Sequence, residues 1–348
     1  MKRSIKKKIK SKLQHFGLFI QLIPEIKIQY FPTAKSLYKY LLKQPADKKI
    51  TEFKRLTDFI ADAQNHKYYH SLLKEIYPEI PADFEAASFV LKNSTFSRNR
   101  KIKWKNKFYF EKNYLFVNHE LESILWVDQH LYPLISKYFK IPKIIKKYEG
   151  DFSNLLYFEH LNLSPINQES PEHKLIKTAQ RLYEISLKEQ EKLSQFNWNP
   201  LLLNFEKLFF EENINAAKKD LLKHGIPAEK IWKKVVNSTY ILAHGDLHAE
   251  NVYQKNHLID LDNFGFYPIG MDPVFIYMFY FEKQDLKISF QDWIKTHFSE
   301  IIPPENWEEF ERNAVFYCFL FFHMRKDKEK YIVFHENLIQ SLKNLFLV

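Results

Sequence analysis

The chain has one cysteine and six glycines in 348 residues. A lone thiol excludes an internal disulfide framework and suits a reducing compartment. Cys318 stands in the apolar run Phe316-Tyr317-Cys318-Phe319-Leu320, where a thiol reads as a small hydrophobe rather than a nucleophile. No Gly-x-Gly-x-x-Gly occurs, so the usual glycine-rich nucleotide loop is absent. The scarce glycines mark places where the backbone needs a positive φ or a close approach. Three of them, Gly245, Gly265 and Gly270, fall close together.

Apolar residues are plentiful at 45%, with 32 Phe and 20 Tyr, so a large core can be buried. The formal net charge is +10, and much of it is concentrated at the start in Lys2, Arg3, Lys6, Lys7, Lys8, Lys10 and Lys12. Such a balance favours an anionic partner. Leu18 to Ile23 follows the basic run but is short, is broken by Gln21 and has no small-residue cleavage site, so secretion is not expected. It is also too short to span a bilayer. Ile5, Ile9, Leu13, Phe16, Ile20 and Ile23 recur at helical spacing, with lysines on the other face. Two readings of residues 1–23 stay open: a helix packed on the protein's own body, or one lying on an anionic membrane surface. Nucleic-acid binding rests on charge and aromatics alone and is the weakest of the three.

The periodicity divides the chain. Residues 1–83 read as a basic helical extension, with helices at Ala34 to Leu42 and Ile50 to Gln64. Residues 84–160 alternate polar with apolar and read as a small antiparallel sheet carrying one helix, Glu120 to Leu131, with Asn118 as its cap. Its strands are expected at Phe84 to Leu91, on both sides of a turn at Lys105-Asn106, at Ile141 to Ile145 and at Leu155 to Glu159. A polar linker at Ser164 to Pro171 leads into residues 161–348, which are mainly helical, as at His173 to Ser194, Leu202 to Leu222, Val274 to Phe281 and Asn313 to Met324. The expected class is α+β with two lobes.

The chemistry is concentrated in Ile241-Leu242-Ala243-His244-Gly245-Asp246-Leu247-His248-Ala249-Glu250-Asn251 and in Leu258-Ile259-Asp260-Leu261-Asp262-Asn263. Apolar strands deliver polar loops in both, and such loops place side chains in a cleft. Phosphoryl transfer needs a carboxylate to accept the attacking hydroxyl's proton and hard oxygen ligands for Mg²⁺. Asp246 suits the first role, and Asn251 and Asp260 suit the second. Asp262 is either a further metal ligand or a support for one.

The His244-x-Asp246 to Asn251 spacing resembles the kinase catalytic loop. Gly245, His248 and the short hop to Asp260 and Asp262 resemble the aminoglycoside phosphotransferase and choline kinase branch. The resemblance covers roughly residues 85–280 and implies a two-lobed protein-kinase-like fold, with ATP and Mg²⁺ as cofactors. By resemblance Asp272, in Gly270-Met271-Asp272-Pro273, is structural, and His248 orients the loop. Lys112 would hold nucleotide phosphates with Glu120 as its partner, with Lys107 and Glu122 as alternatives. Ser94, Thr95 and Ser97 would stand in for the missing glycine-rich loop. Backbone groups near Glu159 and Leu161 would meet the adenine. The resemblance implies ATP-dependent transfer to a hydroxyl of a small molecule or glycan. Choline, ethanolamine, aminoglycosides and lipopolysaccharide sugars are all open as acceptors. The competing class is an inactive kinase-like binder at an anionic membrane surface. The chain is expected in the cytoplasm, either free or peripheral at the inner face of the membrane.

Overall fold

The computed structural model describes residues 45, 71, 73–86, 92–93, 97–115, 119–150, 153–165, 171–194, 211–284, 289–324 and 331–347. The basic N-terminal helix, the helices expected at Ala34 to Leu42 and Ile50 to Gln64, Asn118, Ser94 and Thr95 lie outside these residues. The fold is α+β, with an antiparallel sheet in the N-terminal part and a mostly helical C-terminal part. Contacts divide the chain into two units, Met1–Leu121 with Pro142–Leu161, and Glu122–Ile141 with Asn162–Val348.

The first unit is built on strands β1 (Glu85–Ala86), β2 (Lys92–Asn93), β3 (Ser97–Trp104), β4 (Lys107–Leu115), β5 (Ile144–Glu149) and β6 (Ser153–Glu159). Their order is β1-β3-β4-β6-β5, with β2 also on β3. The hairpin turn falls at Lys105-Asn106, with φ of 47° and 60°. Two consecutive positive φ values match the twist of the flanking strands, and Asn tolerates this region well. The turn fixes the register, so Trp104 faces Lys107 and Arg100 faces Glu111. One face of the sheet carries Ile102, Tyr148, Tyr157 and Leu155, all buried, and meets the buried rings of Tyr77 and Phe84. Phe84 meets Tyr157 edge-on at 5.1 Å and Trp104 at 4.8 Å. On this face Arg100 and Glu111 are both buried and form a two-pronged ion pair, with Nη2 2.9 Å from Oε2. Tyr157 donates to the same Glu111 oxygen at 2.9 Å. The strand expected at Ile141 to Ile145 begins later, at Ile144, because Pro142 has no amide to give to a ladder.

The helix expected over Glu120 to Leu131 is α1 (His119–Trp126), within which the second unit begins at Glu122, and it widens to a π-helix at Val127–Leu131 before α2 (Tyr132–Ile135). Then come α3 (Pro171–Lys188), α4 (Gln190–Leu193), α5 (Glu211–Lys223) and α6 (Ala228–Val236). Strand β7 (Tyr240–Ala243) pairs with β10 (Gly265–Pro268), and β8 (Val252–Tyr253) with β9 (His257–Leu258). The chain ends in α7 (Met271–Gln284), α8 (Phe290–Phe298), α9 (Pro304–Met324) and α10 (Ile332–Leu347). Helix α9 is buried along much of its length, from Phe310 through His323, and forms the centre of this unit. Cys318 is fully buried there beside Met278, and burial pushes its thiol well above the usual range. It behaves as a core hydrophobe. Ser186 of α3 accepts from the Leu242 amide at 2.8 Å, fixing β7 against that helix. Gly270 has φ 106°, and a Cβ there would come within 2.8 Å of the Phe310 carbonyl, so α9 can lie against the turn only if that residue is glycine.

Candidate active site

Strand β7 is buried from Ile241 to Ala243 and releases the chain at His244. The His244 amide donates to both oxygens of the Asp272 carboxylate, at 3.0 and 2.9 Å, and the Gly245 amide donates to it at 3.1 Å. Asp272 lies in the first turn of α7, where the helix dipole also favours a carboxylate. Burial nevertheless raises its pKa to about 7, against the lowering effect of the two amides. Gly245 has φ 73°, and a Cβ on it would stand 2.4 Å from the Asn263 carbonyl and 2.9 Å from the Tyr267 hydroxyl. Tyr267 donates to that same Asn263 carbonyl at 2.5 Å. The loop therefore needs glycine at this position both for conformation and for space.

His244 is fully buried, and its Nε2 is 2.9 Å from the Ile259 carbonyl. A carbonyl only accepts, so Nε2 carries the proton. Burial depresses the imidazole pKa, while Asp246 and Asp260 both act to raise it, so the two carboxylates lie within electrostatic reach of one ring. His244 thus ties the loop bearing Asp246 to the segment bearing Asp260.

Asp246 leaves the core with its side chain about one-third exposed at 32%, open enough to meet a solute. Its Oδ2 is 3.5 Å from His248 Nε2 and 3.5 Å from Asn251 Nδ2. Asn251 Nδ2 also donates to the Asp246 backbone carbonyl at 2.8 Å and lies 3.1 Å from His248 Nε2. His248 Nδ1 accepts from the Glu250 amide at 3.2 Å, which orients the ring. The amide nitrogen of Asn251 is engaged with its own loop, and this leaves Oδ1 as the atom for a cation. The Asn251 carbonyl accepts from the Ile259 amide at 3.0 Å, and the β8–β9 hairpin returns the chain to Asp260. Lys255-Asn256 turns this hairpin with φ of 57° at both residues, the same dipeptide and sign as the turn in the first unit.

Asp260 adopts a left-handed conformation, φ 58° and ψ 58°, and is half-buried. Strained single residues of this kind cost about 1 kcal/mol and persist where the surroundings fix them. Asp262, in the short 3-10 turn that follows, is buried at 7% exposure. The donors around this loop are carboxylate and amide oxygens, the hard set that suits Mg²⁺ rather than a thiol-seeking metal. Asp246, Asn251, Asp260, Asp262 and Asp272 are all named by the motif. The links made by His244 to the Ile259 carbonyl and by Tyr267 to the Asn263 carbonyl are not.

In the first unit Lys112 sits mid-strand on β4, 5% exposed, with Nζ 5.4 Å from the Tyr114 ring. It projects on the opposite face from neighbouring Glu111. Lys107, the alternative, is exposed at the hairpin. Glu120 is half-buried near the start of α1, and Glu122 is exposed. Ser97 opens β3 opposite Tyr114. The Glu159 amide donates to the Lys143 carbonyl at 2.9 Å, so that N–H is engaged within the unit. Leu161 closes the unit after β6.

No family model matches the sequence, and no curated protein matches it. Solved structures do align with it. Aminoglycoside phosphotransferase APH(4)-Ia aligns at TM-score 0.45 and 13% identity, over 78% of this chain and 98% of that one. Macrolide 2'-phosphotransferase MphH from Brachybacterium faecium aligns at 0.43 and 12%, over 78% and 98%. Spectinomycin phosphotransferase APH(9)-Ia, in complex with ADP and spectinomycin, aligns at 0.40 and 14%, over 80% and 94%. These neighbours are phosphotransferases.

Proposed function

We propose that the chain is an ATP-dependent phosphotransferase that moves the γ-phosphate to a hydroxyl of a small molecule or glycan. The observation that carries this reading is the loop from His244 to Asp260. There an accessible carboxylate, an amide oxygen left free by its own nitrogen's bonds and a second carboxylate are fixed by buried anchors. Asp246 takes the proton as the acceptor oxygen bonds to the γ-phosphorus and the β–γ bridging bond breaks, with ADP leaving on the electron pair. Asn251 and Asp260 would hold Mg²⁺, which when bound neutralises phosphate charge. Asp262, buried in the turn that follows Asp260, would be a further ligand or a support for one. Lys112, buried on β4, is the candidate cation for the nucleotide phosphates, with Glu120 as its partner. The seven basic side chains among residues 2–12 support an acceptor at an anionic membrane, such as a surface-glycan or lipopolysaccharide sugar.

The test is transfer of labelled γ-phosphate into a host extract split into envelope and soluble fractions, with Asp246→Ala alongside. Label in the envelope that disappears with the variant supports a membrane-linked glycan. Label in a soluble metabolite moves the acceptor to a choline, sugar or drug. Wild-type turnover by Asp246→Ala would remove the site assignment.

A further inference from the structure

Three helices of the second unit bring together side chains that the phosphotransferase reading does not use. Asp220 lies near the end of α5 and His224 one turn beyond it. His323 is in the last turn of α9, and His335 is in the first turn of α10. Two imidazoles converge on one carboxylate oxygen, with His335 Nε2 2.7 Å and His323 Nε2 3.1 Å from Asp220 Oδ2. His224 Nε2 stands 3.7 Å from the other oxygen. One ligand atom each from Asp220, His323 and His335 all lie within 4.8 Å of one another.

The surroundings hold these donors in place. His323 is 7% exposed, and the rings of Phe319 and Phe322 stack on His335 at interplanar angles of 26° and 27°. The cluster lines a pocket of about 460 Å³, which gives an ion a way in and leaves a position for water. Lys219 and Lys223 line the same pocket and work against a cation, so affinity must come from the ligand set itself.

We propose that Asp220, His323 and His335 bind one divalent transition-metal ion of the Zn²⁺ class, with water from the pocket in the fourth position. Two imidazoles and a carboxylate are borderline donors that select such ions over Mg²⁺. With bonds of about 2.0–2.2 Å, tetrahedral donors stand roughly 3.4 Å apart, so the hydrogen-bonded spacing opens by less than about 1 Å on binding. To ligate through Nε2 each imidazole carries its one proton on Nδ1, any second proton leaving to solvent, and the ion joins α5, α9 and α10 as a structural clamp. This site does not depend on the phosphotransferase reading.

The experiment uses untagged full-length protein stripped with EDTA and titrated with Zn²⁺ against a chromophoric chelator, with thermal unfolding read in parallel. Wild type is expected to take up one equivalent and to melt higher with Zn²⁺. Asp260→Ala is expected to match it, which separates this site from the catalytic loop. His335→Ala should lose at least tenfold in affinity and lose the Zn²⁺-dependent rise in melting. If His335→Ala does not fold, Asp220→Asn and His335→Gln are read in the same way. No uptake by wild type, uptake unchanged in these variants, or uptake lost in Asp260→Ala overturns the proposal. In that event the cluster is a hydrogen-bonded brace.

Discussion

Asp272 places a carboxylate in the core, facing two backbone amides. Its pKa is raised to about 7 by burial. The folded state therefore holds a proton that the unfolded chain releases near the ordinary carboxylate value, and between about pH 4 and 7 folding is favoured more at the acid end. Asp272→Asn keeps an oxygen acceptor and removes the titration. We expect the difference in unfolding free energy between wild type and Asp272→Asn to change by up to ~1.4 kcal/mol per pH unit across that window, wild type losing ground as pH rises. Denaturant melts at four pH values would show it, and parallel curves would refute it. At the candidate active loop, with Asp246 as the proposed base, Asp246→Ala should lower turnover by at least about 100-fold, since a positioned base contributes typically 10²–10⁴-fold. Nucleotide binding should persist in that variant, as read by equilibrium dialysis with labelled ATP.

Among the elements, the β3–β4 hairpin carries the clearest energetic consequence. Arg100 and Glu111 are 2% and 0% exposed, so neither charge is hydrated once its partner is gone. Glu111→Gln is expected to cost about 3–5 kcal/mol in urea unfolding. Combining Arg100→Met with Glu111→Leu should recover most of that loss, because a well-packed apolar pair removes the stranded charge. The pairing is contained in the sequence. A two-residue turn at Lys105-Asn106 pairs residues symmetrically outward, and counting back from Trp104 and Lys107 brings Arg100 opposite Glu111. The hairpin was legible from its alternation, but the burial of its ion pair was not, because charged residues in strands are usually on the solvent side. The candidate catalytic segment stands out in the sequence because its polar groups are local, with Asp246, Asn251 and Asp260 falling on one strand–loop–hairpin unit. Two other features were not legible. The bond from Tyr267 to the Asn263 carbonyl, four residues back, depends on how the chain turns into β10. The π-turn at Val127–Leu131 leaves hydrophobic spacing almost unchanged.

Over the whole molecule, the fold class followed from a change of period along the chain, whereas the cluster joins Asp220 to His323 and His335, each more than a hundred positions downstream of it, and has no sequence signature. The net charge of +10 sets a prediction at this scale. If residues 1–23 carry the protein to anionic lipid, deleting them should abolish flotation with phosphatidylglycerol vesicles at low salt and reduce envelope labelling. Unchanged flotation and labelling would leave that segment to the protein's own body. Among the described residues no helix is long and apolar enough to cross a membrane. The Asp272 anchor has one more consequence, in the time domain. The amides of His244 and Gly245 end on a buried carboxylate. Their hydrogens should exchange with solvent only when the whole unit opens, while the Glu250 amide, held by an imidazole nitrogen at the exposed end of the same loop, should exchange by local opening. The candidate catalytic loop would then be slow at its root and fast at its tip, with Asp246 lying between the two.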